Sequence, residues 1–150
     1  MKRVLQFLAG YIDKSIIESK VWPIKDAFQS DDCFERVPDE SGIYIMVAQK
    51  REFVYPKKDS PVFYIGTSKH LRSRLKTHLR RYKDAKTDFN KHTLWNYSRY
   101  NYAVAFGVDI YYMRITGREK EKALESKAME GFYDKYGALP VGNGAFSFRK

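Results

Sequence analysis

Two short apolar and aromatic runs in the middle of the chain constrain the fold more than any other feature. Gly42–Ala48 (GIYIMVA) and residues 62–67 (VFYIGT) have the length and the residue types of buried strands. The connection between them is polar and contains Pro56 and Pro61, which interrupt regular structure. The pattern predicts a hairpin whose two strands are joined by a long connection.

The segments that follow predict two helices and a third strand. Ser68 can cap a helix over residues 69–82, and Gly66 allows a tight exit from the preceding strand. Residues 108–115 (VDIYYMRI) alternate as a strand does, and a helix over residues 118–136 ends at Gly137. The order predicts an α/β (α+β) fold with a small three-stranded, mainly antiparallel sheet flanked by helices.

The first part of the chain, residues 1–40, is predicted to be a helical extension of the same compact domain. Its apolar residues recur at helical spacing over residues 2–19; they are Val4, Leu5, Leu8, Tyr11, Ile12 and Ile16. After Pro23, residues 24–29 are predicted to form a second, short helix.

The charge of the chain indicates a polyanionic partner. The 28 Lys and Arg residues outnumber the 18 Asp and Glu residues, which gives a formal net charge of +10 and a pI near 9.6. Such an excess is typical of proteins that bind nucleic acid, although a basic surface can also serve solubility alone. The single cysteine excludes an internal disulfide framework and a cysteine zinc cluster.

The sequence offers no feature of a membrane or secreted protein. No stretch approaches the roughly 20 apolar residues that a membrane span needs. The first 20 residues include Asp13, Lys14 and Glu18, which a signal peptide would not carry. We therefore expect no membrane association and a cytoplasmic location.

Charged side chains on the apolar faces of both helices indicate a site. On the first helix, Arg74 and His78 share a face with four apolar residues; these are Leu71, Leu75, Leu79 and Tyr82. An unpaired buried charge is costly, so Arg74 is expected to have a partner in a cleft.

The last helix shows the same pattern with the opposite charge. Glu125 is predicted to lie near the centre of an apolar face, whereas Glu119 and Glu130 are expected to be solvated; that face comprises Ala128, Met129, Phe132, Tyr133 and Tyr136. An inward carboxylate suits metal binding or acid–base chemistry, and the alternative is a structural ion pair with Arg74 or another cation.

Together with two tripeptides, these residues resemble the GIY-YIG endonuclease superfamily. Both tripeptides are intact, as Gly42-Ile43-Tyr44 and Tyr64-Ile65-Gly66. YIGTSKHLRSRLKTHL is similar to the second block of the family, with its arginine at Arg74 and a frequent histidine at His78. ALESKAMEGFYDKYGALPVGN is similar to the third block, with the metal-binding glutamate at Glu125 and the terminal asparagine at Asn143.

The resemblance covers residues 41 to 144 and implies that residues 41–150 form a GIY-YIG nuclease-like catalytic domain. It implies hydrolysis of nucleic-acid phosphodiester bonds, DNA being favoured, with Mg²⁺ or Mn²⁺ bound by Glu125. Tyr44 is the candidate general base, and Tyr64 is expected to position the attacking water or to share the proton network. Arg74 pairs with the scissile phosphate. His78 holds Tyr44 or a phosphate oxygen.

Substrate contacts are predicted mainly on the first of the two helices. The residues expected to contact nucleic acid are Lys69, Arg72, Lys76, Arg81, Lys91 and Asn143, with Asn143 also expected to order the loop near the metal.

Residues 83–107 form an insertion-like stretch that the resemblance does not align. Its cations and aromatic residues either grip phosphates and stack on bases or pack against the core; they are Lys86, Lys91, Trp95, Tyr97, Arg99 and Tyr100.

Three other interpretations remain open. The chain is a nucleic-acid-binding module with an inactive nuclease site, or it cuts only within a larger assembly, with a homodimer or a separate recognition partner supplying specificity. A purely structural or protein-interaction domain is the third, but it leaves the inward Arg74 and Glu125 unexplained. The sequence contains no P-loop, dinucleotide fingerprint or His-Glu-x-x-His motif that would indicate another chemistry.

Overall fold

A four-stranded antiparallel sheet forms the centre of the computed structural model, which describes residues 2–87, 98–118 and 120–143. The strands lie in the order β1-β4-β2-β3. Their bounds are Trp22–Ile24 for β1, Gly42–Ala48 for β2, Val62–Ser68 for β3 and Val108–Arg114 for β4. The helices are α1 (Lys2–Leu5), followed by a 3₁₀ turn at Gln6–Leu8, α2 (Leu71–Thr87), α3 (Ser98–Phe106) and α4 (Glu121–Tyr136).

The prediction of an α+β fold with an antiparallel sheet and flanking helices is confirmed, but the predicted number of three strands is wrong. The central strands β2 and β4 pair along their whole length, and all seven residues of β2 are buried. The additional strand β1 pairs with β4 through Trp22 opposite Tyr112. It is short and contains Pro23, which is tolerated because β1 lies at an edge of the sheet.

The predicted helices of the N-terminal extension are also wrong. The first helix stops at Leu5 and its 3₁₀ continuation at Leu8, and Gly10 then adopts a φ of 83°. Residues 24–29 begin in β1 and continue as a turn in which Asp26 and Phe28 have positive φ. Residues at helical spacing can also be buried without a continuous helix, as Leu8 and Ile12 are here, and the neighbouring Phe7 packs edge-on against Phe132 of α4.

The two predicted amphipathic helices are present with shifted ends. α2 continues five residues beyond the predicted position 82, to Thr87, and buries the predicted residues Leu71, Leu75, His78, Leu79 and Tyr82. α4 begins at Glu121 rather than at residue 118 and ends at Gly137, as predicted. Part of the unaligned stretch is helix α3, which packs against α2.

One residue of the predicted apolar face of α4 lies outside it. Tyr133 is 44% exposed, whereas Leu124 and Gly131 are buried with Ala128, Met129, Phe132 and Tyr136. Glu125 follows Leu124 directly and is half-buried at the edge of this face rather than at its centre. None of the helices in the described part of the chain is long and apolar enough to cross a membrane.

Candidate functional site

Two tyrosines on neighbouring strands form the first part of the candidate site. Tyr44 of β2 lies opposite Gly66 of β3, and Tyr64 lies opposite Met46. Side chains two residues apart on a strand share a face, and so do directly opposed residues. Tyr44 and Tyr64 therefore project from the same face, where their ring centroids are 6.0 Å apart.

Gly66 leaves the space that the ring of Tyr44 occupies. A Cβ at position 66 would lie 2.5 Å from both Cζ and Oη of Tyr44, closer than side chains pack. β3 continues past Gly66 to Ser68, so the predicted tight exit from the strand is wrong. The glycine of the second tripeptide is needed for the tyrosine of the first.

His78 joins this face from α2 and is fully buried. Its Nε2 lies 2.6 Å from the hydroxyl of Tyr44, and its Nδ1 lies 2.7 Å from the hydroxyl of Tyr100. Burial lowers the pKa of His78 well below its usual range, and the nearby guanidinium of Arg74 lowers it further. The imidazole is therefore neutral at neutral pH, with one nitrogen donating and the other accepting.

Tyr44 is equally buried and has a strongly perturbed hydroxyl. Burial raises the pKa of Tyr44 well above 10, the proximity of Tyr64 adds to the shift, and Arg74 opposes it. The phenol is therefore protonated at neutral pH. Its position against a neutral imidazole allows it to pass its proton to Nε2 of His78 whenever the hydroxyl oxygen receives another.

Arg74 lies one turn of α2 before His78 and is half-buried. Burial alone would lower the pKa of Arg74, but its contacts with the hydroxyls of Tyr44 and Tyr64 outweigh this and raise it. The guanidinium is thus a permanent positive charge held against both tyrosines. The partner that the sequence analysis expects for Arg74 is this tyrosine pair.

Glu125 brings a carboxylate from α4 towards the same cluster. Burial raises the pKa of Glu125, and the charges of Lys122, Arg74 and Arg99 oppose that shift. Within residues 2–87, 98–118 and 120–143, the carboxylate makes no hydrogen bond and no ion pair within 4 Å. The alternative of a structural ion pair with Arg74 therefore does not describe its state.

An unpaired, half-buried carboxylate fits a hard divalent cation. No group of three or more His, Cys, Asp or Glu side chains that could hold a metal occurs in the described residues. Of the described residues, Glu125 alone would thus bind the cation, and water and phosphate oxygens would complete the coordination. Mg²⁺ commonly binds in this way, through one or two carboxylates and the substrate.

Helix α3 contributes two site residues to which the sequence analysis gave no specific role. The ring of Tyr100 is 1% exposed and holds the outer nitrogen of His78. The guanidinium of Arg99 lies 4.3 Å from the centroid of the Tyr64 ring. The alternation of cations and aromatic residues in the unaligned stretch was their only signal, and it does not show which members turn inward.

This chain matches no protein-family model, no curated protein and no solved structure. Its function is therefore inferred from the geometry of the site and from the two tripeptides. The side chains that meet come from β2, β3, α2, α3 and α4, which lie far apart in the sequence.

Asn143 orders the edge of the sheet beside Tyr64. Its Oδ1 accepts a hydrogen bond from the Ile65 backbone N–H at 3.0 Å, and its Nδ2 donates one to the Ile65 carbonyl at 2.9 Å. The neighbouring Gly142 N–H donates to the Phe63 carbonyl. Both ends of the amide are engaged with β3, which supports the ordering role expected for Asn143 rather than direct contact with nucleic acid.

The predicted substrate-contacting cations of α2 lie on its outer side and at its start. Arg72 is half-buried, and Lys69 and Arg81 are exposed. Lys76 forms an exposed ion pair with Glu35 at 2.8 Å, so a phosphate would compete with that carboxylate. The predicted contacts of Lys91 fall outside the described residues, as do Glu119, Trp95 and Tyr97 of the other predictions.

An apolar cavity of about 900 Å³ lies away from the cluster around Tyr44 and Tyr64. It is bounded mainly by the N-terminal segment, including Leu5, Leu8 and Ile12, and by Met113 of β4. Met113 pairs with Ile43, whereas Tyr112 pairs with Tyr44. Successive strand residues point to opposite faces, so the cavity and the tyrosine cluster lie on opposite faces of the sheet.

Proposed function

We propose that this chain is a metal-dependent endonuclease of the GIY-YIG type that hydrolyses phosphodiester bonds in nucleic acid, with DNA as the favoured substrate. The observation that carries the proposal is the meeting of Tyr44, Tyr64, Arg74 and His78 on one face of the sheet. The unpaired carboxylate of Glu125 lies within the electrostatic reach of Arg74. These residues occupy the motif positions that the resemblance identifies.

Arg74 is the group that binds the scissile phosphate. Its guanidinium is permanently charged, fork-shaped and partly shielded from solvent, which strengthens its attraction to an anion. Negative charge on the phosphoryl oxygens increases on the way to the transition state. A positive charge already fixed by two tyrosines stabilises that state without reorganisation.

Tyr44 accepts the proton of the attacking water and transfers its own proton to His78. As the hydroxyl oxygen of Tyr44 accepts this proton, its own proton moves to Nε2 of His78, which requires the tautomer with hydrogen on Nδ1. That Nδ1–H donates to the hydroxyl of Tyr100. Tyr64, beside Tyr44 and Arg74, positions the water. The low pKa of His78 makes its protonated form short-lived.

Glu125 is the side chain that would hold Mg²⁺ or Mn²⁺. When bound, the cation supplies electrostatic stabilisation of the negative charge that develops during phosphodiester hydrolysis. The charge of Lys122 acts on Glu125, but the carboxylate makes no ion pair within 4 Å among the described residues, so it remains available for the cation.

The test is cleavage of supercoiled plasmid, single-stranded DNA and RNA by the purified protein with Mg²⁺, with Mn²⁺ and with EDTA. We expect nicked or linear product only in the presence of metal. Arg74→Ala is expected to cut about 100- to 1000-fold more slowly, as when a transition-state charge stabiliser is removed. Cutting in EDTA, or cutting by Arg74→Ala at the wild-type rate, would contradict the proposal.

A second candidate is a nucleic-acid-binding module whose nuclease site is inactive or depends on a partner. The burial of the tyrosines favours it, because Tyr44 is 1% exposed and Tyr64 6%, and substrate must approach through the half-buried Arg74 and Glu125. Binding in a gel shift without cutting under any metal condition would favour this candidate. Size-exclusion chromatography with and without DNA then shows whether self-association completes the site.

A further inference from the structure

The site carries more positive charge than its own residues balance. Arg74 and Arg99 lie close enough to Glu125 to affect its carboxylate, and Arg81 joins them around the neutral His78. Among the described residues, the one carboxylate of Glu125 is therefore affected by three cations, Arg74, Arg99 and Lys122. Partly buried charges are costly unless they are compensated, so this excess of positive charge favours an anionic ligand.

Arg99 has a buried hydrogen-bond donor that no group in the described residues satisfies. Its Nε is buried without a hydrogen-bond partner in the described part of the chain. Among the same residues, Arg99 forms no ion pair within 4 Å. A buried donor that is left unsatisfied destabilises the protein. The centroid of the Tyr64 ring lies 4.3 Å from the guanidinium carbon, and a ring contact of this kind does not satisfy the Nε donor of Arg99.

The backbone fixes Arg99 in this position. A Cβ at Gly142 would lie 3.1 Å from the Cβ of Arg99, so the C-terminal turn packs directly against the base of this side chain. That turn is itself bonded to β3 at Phe63 and Ile65, on either side of Tyr64. The base of Arg99 therefore packs against a turn that is hydrogen-bonded to β3, the strand that carries Tyr64.

We propose that Arg99 binds a second phosphate of the nucleic-acid strand, next to the phosphate bound by Arg74. This inference rests on the proposed function and adds to it the requirement for a strand with consecutive phosphates. Tyr64 lies 4.3 Å from the guanidinium of Arg99 and also interacts with the guanidinium of Arg74, so both positive charges lie near the same side chain. The planar fork of Arg99 suits two oxygens of one phosphate.

The test is binding of a fluorescent DNA duplex in EDTA, measured by anisotropy as a function of salt concentration, so that cutting plays no part. We expect Arg99→Gln to weaken binding about tenfold or more, as for loss of a charged hydrogen bond. The slope of log K against log salt should fall in magnitude by about 0.9, the value for one lost phosphate contact. Arg99→Lys should keep the wild-type slope but bind more weakly than wild type, because it retains the charge and loses the fork.

Arg51→Gln is the matched control. Arg51 is exposed and also lies over an aromatic ring, 5.2 Å from the centroid of Phe106. Phe106 is at the other end of α3, about 10 Å along the helix from Arg99. This variant loses the same charge and a similar ring contact, and its affinity and salt slope should stay within about twofold and 0.3 of the wild-type values.

The outcomes separate this inference from the proposed function. If the wild type binds and cuts DNA while folded Arg99→Gln retains the wild-type affinity and slope, Arg99 contacts no phosphate and only this inference fails. If the wild type binds no nucleic acid at all, the proposed function fails with it. If Arg99→Gln does not fold in a thermal-unfolding assay, Arg99→Lys decides, because wild-type affinity in that variant would overturn the bidentate contact.

Discussion

At the scale of single residues, the hydroxyl of Tyr44 is the centre of the site because three neighbours determine its position. Gly66 leaves room for the ring, His78 holds the hydroxyl at 2.6 Å, and Arg74 lies against it. The two tripeptides are thus physically coupled, because Gly66 of β3 leaves room for the ring of Tyr44 on the adjacent strand β2. Substitutions that displace the Tyr44 hydroxyl should therefore lower the rate of cleavage more than they lower the stability of the fold.

Gly66→Ala should displace the hydroxyl of Tyr44 and reduce cleavage about 100-fold or more, on the scale of losing one positioned catalytic group. The added Cβ would lie 2.5 Å from Cζ and Oη of Tyr44, so the ring must move. The rate should be measured in single-turnover cleavage, beside thermal unfolding of the same sample. In the Tyr44→Phe background the same change should cost little additional activity, because the group it displaces is already gone. If the losses of activity caused by Gly66→Ala and Tyr44→Phe add fully, Gly66 acts through a group other than the Tyr44 hydroxyl.

The buried neutral state of His78 should make the protein less stable in mild acid. In the unfolded chain this imidazole takes up a proton below about pH 6.5, whereas burial lowers its pKa in the folded protein. At such pH values the unfolded state binds more protons than the folded state. The free energy of unfolding therefore decreases as the pH is lowered, by up to about 1.4 kcal/mol per pH unit. Glu125, whose pKa burial raises, acts in the opposite direction.

Urea denaturation at pH 7.5, 6.5 and 5.5 measures this effect. His78→Gln is the comparison, and Glu125→Gln, introduced into both proteins, removes the opposing contribution. We expect a clear loss of stability between pH 6.5 and 5.5 in the protein with His78 and a smaller one in the variant without it. Equal pH dependence in the two proteins would show that His78 is not held neutral.

At the scale of secondary-structure elements, the parts of the site that the sequence predicted lie on strands and helices with strong local patterns. The bounds of β2 match the prediction, and α2 turns Arg74 and His78 towards the sheet as its apolar spacing predicts. Placing Glu125 from its helix alone was less accurate, because Leu124 rather than Glu125 occupies the buried face.

The missing elements were those determined by contacts distant in the sequence. β1 is three residues long and contains proline, and only its pairing with β4 makes it a strand. The turn that buries Phe7 and Leu8 against α4 has the same apolar spacing as a helix. α3 has a weakly apolar sequence, and the inward direction of Arg99 and Tyr100 depends on its packing against α2. Local pattern cannot supply these contacts.

The contribution that we propose for α3 in catalysis can be tested by removing a single oxygen. Tyr100→Phe keeps the buried ring but leaves Nδ1 of His78 without the hydroxyl 2.7 Å away. We expect about a tenfold fall in kcat with little change in KM, consistent with one lost hydrogen bond. The ¹⁵N chemical shifts of the His78 ring should change in the same variant, because Tyr100 helps to determine its tautomer.

Tyr102→Phe is the control on the same helix. The ring of Tyr102 packs against Phe53 and Phe63, away from His78. Its activity and the His78 spectrum should remain close to those of the wild type. An equal fall in kcat in both variants would assign the effect to the packing of α3 rather than to the Tyr100 hydroxyl.

At the scale of the whole molecule, the two faces of the sheet differ in chemistry. One face carries the tyrosine cluster and receives Arg74 and His78 from α2, and the opposite face borders the apolar cavity under the N-terminal segment. With a net charge of +10, the molecule should attract polyanions at long range, and the attraction should weaken as salt is added. In the proposed function, the net charge favours encounter with nucleic acid, whereas cutting would depend on the few groups that surround Tyr44.

The most direct test of the account is single-turnover cleavage of DNA by Glu125→Gln beside Glu130→Gln, at a series of Mg²⁺ and Mn²⁺ concentrations. Both residues lie on α4, but Glu125 is half-buried near Arg74, whereas Glu130 is exposed. We predict that Glu125→Gln binds DNA without cutting it at any metal concentration, while Glu130→Gln cuts with the rate and metal dependence of the wild type. Cutting by Glu125→Gln at the wild-type rate, or equal loss in both variants, would contradict the proposed site.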